Sequence, residues 1–181
     1  MKFRKLEPDE IECRVSRVKT AKDQAGNDIA TGVYLLLYKT ARTDSAILDE
    51  TVKPENWQDK YYECKGNLFC SVGIKCGDEW VWKDNAGAES NMEKEKGEAS
   101  DAFKRACFNW GIGKELYTAP QIFVASEECK TLQKNKYGKF ECYDRFVVSD
   151  IGYDGDKICQ LILRNPYSNK IVFSYGKALG E

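Results

Sequence analysis

The sequence predicts an α+β fold: an antiparallel β-meander covered by one long helix, a β-β-β-α core, with additional N- and C-terminal strands. Three features point to it. Between Asn56 and Ala88, three β-rich runs are joined by short connections holding Gly66-Asn67 and Gly77-Asp78, the chemistry of tight hairpins. Directly afterwards, GEASDAFKRACFNWGIGKELY (97–117) repeats its small and aromatic residues at helical spacing. The remaining apolar runs are short and bounded by Gly, Asn, Asp or Pro, as strands are.

In chain order, IECRVSRVKT (11–20) alternates imperfectly and is predicted as a strand, with AGND as the turn after it. GVYLLLY (32–38) is a second strand. TARTDSAILDETV (40–52) spaces Ala41, Leu48 and Val52 as a helix does, and Pro54 ends it by steering Lys53 out of the helical region. The meander follows as NWQDKYYEC, LFCSVGIKC and EWVWKDNAGA. In its middle strand Leu68, Cys70, Val72, Ile74 and Cys76 share a face that wants a helix over it, while Ser71, Gly73 and Lys75 share the other. Trp80 and Trp82 lie on one face of the third strand and read better as packing than as stacking residues.

Ser90 and Glu93 form an S-x-x-E capping box and Gly111 suits the position after a helix end, which places the helix at 91–110. Beyond it QIFVA, KFECYDRFVV, KICQLIL and KIVFSY are predicted strands, with YDGD and NPYSN as turns. The polar, lysine-rich stretch 126–139 is expected to be the least ordered. With no repeat or linker, a single domain is expected over 1–181, with its core at 38–120 and a strand-rich extension at 121–181.

At 181 residues, 42% hydrophobic and 31% charged, the chain can bury an ordinary core. No run approaches the roughly 18 apolar residues of a membrane span. MKFRKLEPDEIEC has no apolar h-region, so a cytoplasmic location is expected. The eight cysteines are scattered, and buried free thiols are expected of them. Cys64, Cys70 and Cys76 are evenly spaced, but their gaps are not those of zinc knuckles and the chain has no histidine, so no metal site is expected. The absence of histidine also removes the commonest general base, and no phosphate-binding G-x-x-x-x-G-K-[ST] occurs; no catalytic residue and no cofactor are expected. With a net charge of −1, a nucleic-acid partner would need locally segregated Lys and Arg.

Such a cluster lies on the long helix. At about 100° per residue, Ala99, Ala102, Phe103, Ala106 and Trp110 form one stripe, and Phe108 points away from it between Lys104 and Arg105. Two cations around an aromatic ring suit single-stranded nucleic acid, the charges for phosphates and the ring for a base. Asp101, three and four residues earlier, equally allows ordinary surface ion pairs, and Phe108 a packing or subunit contact.

EASDAFKRACFNWGIGKELY, preceded by two Gly-turn hairpins and ENWQ, resembles the single-strand annealing proteins of the Rad52 type and their phage Sak relatives, from about Tyr38 to Pro120. The shared signature is an acidic-x-x-Lys-Arg-Ala motif before an aromatic-Gly step: Asp101, Lys104, Arg105, Ala106, Trp110 and Gly111. The resemblance implies a non-catalytic, ring-forming homo-oligomer. It would hold single-stranded DNA in a basic groove and anneal complementary strands without ATP in recombination and repair. A single-strand binding protein is a further candidate partner. Lys104 and Arg105 fall on the family's DNA-contacting pair, Arg42 within one residue of another groove position, and Lys75 near a basic hairpin position. Phe108 stands where eukaryotic members carry a further Arg, which removes a phosphate contact. Two alternatives compete. One is a coating module that binds single strands without annealing them. The other is a magnesium-dependent nuclease built on Asp84 and Glu93-Lys94-Glu95-Lys96, weakened because that run opens a helix, where Glu is favoured anyway.

Overall fold

Turn and cap residues set the element boundaries in the computed structural model, which describes residues 1–88 and 94–176, the side chains of 94–96 excepted. The α+β class is observed, with two helices and antiparallel sheets. Chain contacts divide it into two units: Met1–Leu6 with Lys39–Lys114, and Glu7–Tyr38 with the segment from Glu115 onward.

In the first unit, helix α1 (Ala41–Val52) starts at Thr40, whose side chain accepts the Thr43 N–H at 3.3 Å. It buries Asp44, Ile47 and Leu48, an i, i+3, i+4 stripe. It ends at Lys53, which adopts φ 74° and ψ 148° ahead of Pro54, as expected. Strands β3 (Trp57–Cys64), β4 (Asn67–Cys76) and β5 (Glu79–Ala86) form an antiparallel sheet in that order. Cys64 pairs with Asn67, so the first turn is Lys65-Gly66, one residue earlier than expected. Both turn residues have positive φ, 52° and 75°, the twist that joins two strands through two residues.

On β4, Cys70, Val72 and Ile74 are fully buried. Helix α2 (Lys94–Trp110) buries Ala102, Phe103, Ala106 and Cys107. It is tied to the sheet by Trp110 Nε1 donating to the Val72 carbonyl at 2.9 Å and by Glu98 accepting the Leu68 N–H at 3.1 Å. A Cβ on Gly87 would lie 2.2 Å from the Glu98 carbonyl oxygen, so the strand end passes the helix backbone with only glycine between them. α2 closes in a Schellman turn: the N–H of Ile112 reaches the Cys107 carbonyl at 3.2 Å and that of Gly111 the Phe108 carbonyl at 2.9 Å. The expected Ser90–Glu93 capping box lies outside the described residues.

The second unit holds a six-stranded sheet in the order β11-β10-β9-β1-β2-β6. Its strands are β1 (Glu12–Lys22), β2 (Asp28–Tyr38), β6 (Ile122–Ala125), β9 (Val147–Asp154), β10 (Lys157–Arg164) and β11 (Ile171–Tyr175). The C-terminal strands therefore pair with the N-terminal ones and not with β3–β5. Val33, Leu35, Ile122, Val124, Leu161 and Leu163 are buried on it. KFECYDRFVV is not one strand. It is β8 (Phe140–Glu141), a break, and then the start of β9. Within the break, Asp144 Oδ2 accepts the N–H groups of Lys130 at 2.6 Å and Thr131 at 3.3 Å, which turns the chain out of the ladder. The stretch 126–139 carries a 3-10 turn at Ser126–Glu128 and β7 (Gln133–Lys134), which pairs with β8.

Gly111 has φ 107°, and a Cβ added there would meet nothing within 4 Å, so its substitution costs backbone energy alone. Gly111→Ala should lower the unfolding free energy by about 1 kcal/mol. Urea denaturation checks this, and an unmoved midpoint contradicts it.

Candidate nucleic-acid interface

The helix flank is positioned from below by a buried ion pair. Lys39 is 7% and Asp44 0% exposed. Lys39 Nζ lies 2.5 Å from both Asp44 carboxylate oxygens, and also points at the Lys104 carbonyl at 3.4 Å. One ammonium thus joins α1 to the middle of α2. A Cβ on Gly113, at φ 72°, would sit 2.4 Å from Lys39 Cε, so this glycine makes room for the lysine stem. Burial pushes the Asp44 carboxyl up to about 6, against the opposing pull of the Lys39 charge and hydrogen bond and of the Lys104 charge.

Above this pair, Asp101 organises the two cations. Arg105 Nε donates to Asp101 Oδ2 at 2.6 Å, and Lys104 Nζ stands 3.9 Å from Oδ1. The same carboxylate accepts the Ala88 N–H at 3.0 Å. The surface pairing that the spacing allows is therefore present, yet the Arg105 side chain remains 48% exposed. Below the last turn, Lys83 Nζ donates to the Asn109 carbonyl at 3.0 Å and lies 4.5 Å from the Trp110 ring centroid. A cation there complements the negative end of the helix.

The other expected contacts are not all brought to this flank. Phe108 is half-buried, not turned freely outward, and Lys114 Nζ lies 5.5 Å from its ring centroid. Arg42 is exposed on α1. Lys75 is exposed but lies on β4 in phase with Ser71 and Gly73, on the sheet face opposite to Val72 and so opposite to α2. That rear face carries the two tryptophans. Trp82 lies over Gly73, where a Cβ would meet its ring at 2.7 Å, and Trp80 is 6.1 Å away and 37% exposed. Lys60 Nζ sits 4.1 Å from the Trp82 centroid, and Tyr62 stacks on Phe69 at 5.4 Å. Cations and flat rings thus occupy this face as well. The sequence reading does not single out Lys60, although the alternation Gln58, Lys60, Tyr62 in β3 carries the signal.

Further pairs that the sequence does not announce lie in the second unit, where Arg17 sits 4.2 Å from the Tyr34 ring and Lys19 5.2 Å from Phe123. Of the nuclease constellation only Asp84 has a described side chain. Asp84 accepts a hydrogen bond from the Tyr62 hydroxyl at 2.5 Å, Lys94 opens a helix, and Glu93 lies outside the described residues. Of the cysteines, only Cys70 and Cys107 are buried, while Cys64 and Cys76 are exposed, contrary to the expectation of generally buried thiols.

The family described as Rad52/22 double-strand break repair proteins matches residues 39–135, more than half of the chain. No curated protein and no solved structure matches it.

The Lys39–Asp44 pair makes a pH-dependent prediction. Because Asp44 titrates near 6 in the fold and near 3.9 when unfolded, its contribution is fully present below about pH 4 and lost as pH rises through 6. Lys39→Met removes the charge and hydrogen bond that hold this pKa down, so it rises further. The variant should be about 3 kcal/mol less stable than wild type at pH 8 and nearer to it at pH 5. Denaturant titrations at both pH values check this; an equal deficit contradicts the coupling.

Proposed function

The chain belongs to the Rad52/22 family of double-strand break repair proteins, and from that premise we propose that it binds single-stranded DNA along the cationic flank of α2 and anneals complementary strands without ATP. Family membership puts it in DNA repair and recombination, with single-strand annealing as the family-level activity. The observation that carries the finer reading is the arrangement around Asp101: Lys104 and Arg105 are held on the accessible side of a helix whose alanine side is buried.

Annealing is downhill, since each base-pair step returns about 1.4 kcal/mol. What opposes it is phosphate repulsion and the folding of each strand on itself. Cations that track the backbone lower the first barrier, and an extended strand removes the second. Neither step requires a nucleophile or a nucleotide, so the protein acts by binding and not by catalysis. Its proposed partners are single-stranded DNA, further copies of itself in a ring, and a single-strand binding protein, in the cytoplasm. Among the described residues no helix is long and apolar enough to cross a membrane. A second course for the strand is favoured by one observation, the Lys60–Trp82–Trp80 surface on the rear of the sheet.

Lys104→Ala with Arg105→Ala should weaken binding of a labelled oligonucleotide and reduce the log-log salt slope by about 0.7 for each phosphate no longer neutralised. A folded double variant with wild-type affinity and slope removes this flank from the site. A weakened Trp80→Ala with Lys60→Ala variant instead would put the strand on the rear face. Complementary strands mixed with the protein and no ATP should pair faster than without it; an unchanged rate leaves a coating protein.

A further inference from the structure

A second group of chemically active side chains lies in the other unit, among residues that the annealing reading does not use. Cys129 Sγ, Cys142 Sγ and a carboxylate oxygen of Asp144 all lie within 4.8 Å of one another. Nothing in their spacing connects them: twelve residues separate the two cysteines, and no zinc-knuckle pattern is present. The fold makes the connection by pairing β7 with β8, which returns the chain to Cys142 beside Cys129.

The carboxylate at the centre is only half used. Asp144 is 6% exposed, and its Oδ2 accepts two backbone N–H groups and a weak contact from Cys142 Sγ at 3.5 Å. Its Oδ1 is buried with no hydrogen-bond partner, alone in this among the described residues. A buried carboxylate oxygen without a partner is costly and is usually met by a donor or a cation. With two thiols near the same carboxylate, a cation is the partner that also suits its neighbours.

We propose that Cys129, Cys142 and Asp144 bind a zinc ion at the base of the β7–β8 hairpin. Two thiolates with one carboxylate form a ligand set for a thiophilic divalent ion and not for magnesium or calcium. Around a tetrahedral ion with Zn–S near 2.3 Å, two sulfurs stand about 3.8 Å apart, so the present spacing closes onto the metal with small side-chain movements. Three protein ligands leave the fourth position to water. Binding replaces the thiol protons, which pass to solvent, and no electron is transferred.

The hairpin itself shows what the ion would do. From Lys130 to Tyr143 no residue is buried. The turn is organised by a polar side chain: the Asn135 side chain accepts the N–H groups of Tyr137 at 2.9 Å and Lys139 at 3.0 Å, and donates to Glu141 at 2.8 Å. A segment with no apolar core is the kind that a metal staples at its ends. Cys142 and Asp144 lie beyond the family match at 39–135, and the proposal does not rest on the annealing reading.

The test is metal analysis of the full chain purified under reducing conditions from zinc-supplied cells. About one zinc per chain is expected. It should disappear in Cys129→Ser with Cys142→Ser and in Asp144→Asn, and be kept when the exposed Cys64 and Cys76 are replaced by serine. Cobalt(II) added to the metal-free protein should give thiolate charge-transfer absorption and the visible bands of a tetrahedral ion, a readout that needs no variant to fold. Absence of both zinc and the cobalt spectrum overturns the proposal. So does zinc that persists in the Cys129/Cys142 variant, or a thiol count showing these two cysteines joined as a disulfide.

Discussion

Lys39 and Asp44 leave water together, and the first unit is arranged around that event. Each alone would be an isolated buried charge, so the pair forms only if α1 begins immediately after Lys39 and its first turn faces α2. The geometry then propagates. Lys39 also reaches the Lys104 carbonyl, which fixes α2 along its axis, and its stem requires the space that Gly113 leaves open. The two glycines after the helix consequently have different work. Gly111 supplies the left-handed residue that ends α2, and Gly113 supplies room.

With the helix located, its two sides follow from side-chain size. Ala102 and Ala106 let the backbone approach β4 closely, and Trp110 and Glu98 add hydrogen bonds to the strand backbone. Small residues on the inner side leave the long cationic ones outside. The Lys83 ammonium beneath the last turn offsets the helix dipole where the sequence of α2 itself offers no basic residue. Structure and charge are therefore shared between strand and helix, and neither is intelligible from its own sequence alone.

That sharing decides what the sequence could disclose. Hairpins, helix α1, the end of α2 and the alanine stripe were legible because each is written in residues close together: Pro54 after Lys53, Gly at each turn, alanines at helical spacing. Asp101 beside Lys104 and Arg105 was legible for the same reason. Lys39–Asp44 was not, because a lysine next to a strand end carries no mark of burial. The place of Lys75 on the sheet face opposite to Val72 is legible from strand alternation. The break in KFECYDRFVV was hidden because its cause, the Asp144 carboxylate bound to Lys130 and Thr131, lies across a hairpin.

The division of labour between Lys104 and Arg105 follows from how Asp101 treats each. The close contact to Arg105 is made through Nε, and the half-exposed side chain has further guanidinium N–H donors. Under the proposed reading, a phosphate arriving there would meet a fork already held by Asp101, so less rotamer freedom would remain to be given up. Lys104, at 3.9 Å from the same carboxylate and near the Asp44 charge, is held only by loose electrostatics. In the proposed site it would contribute a point charge without a fixed hydrogen-bond geometry. Under the proposed reading, a strand being paired must slide as its register is found, and one closely held fork beside one loosely held ammonium would hold it without locking it.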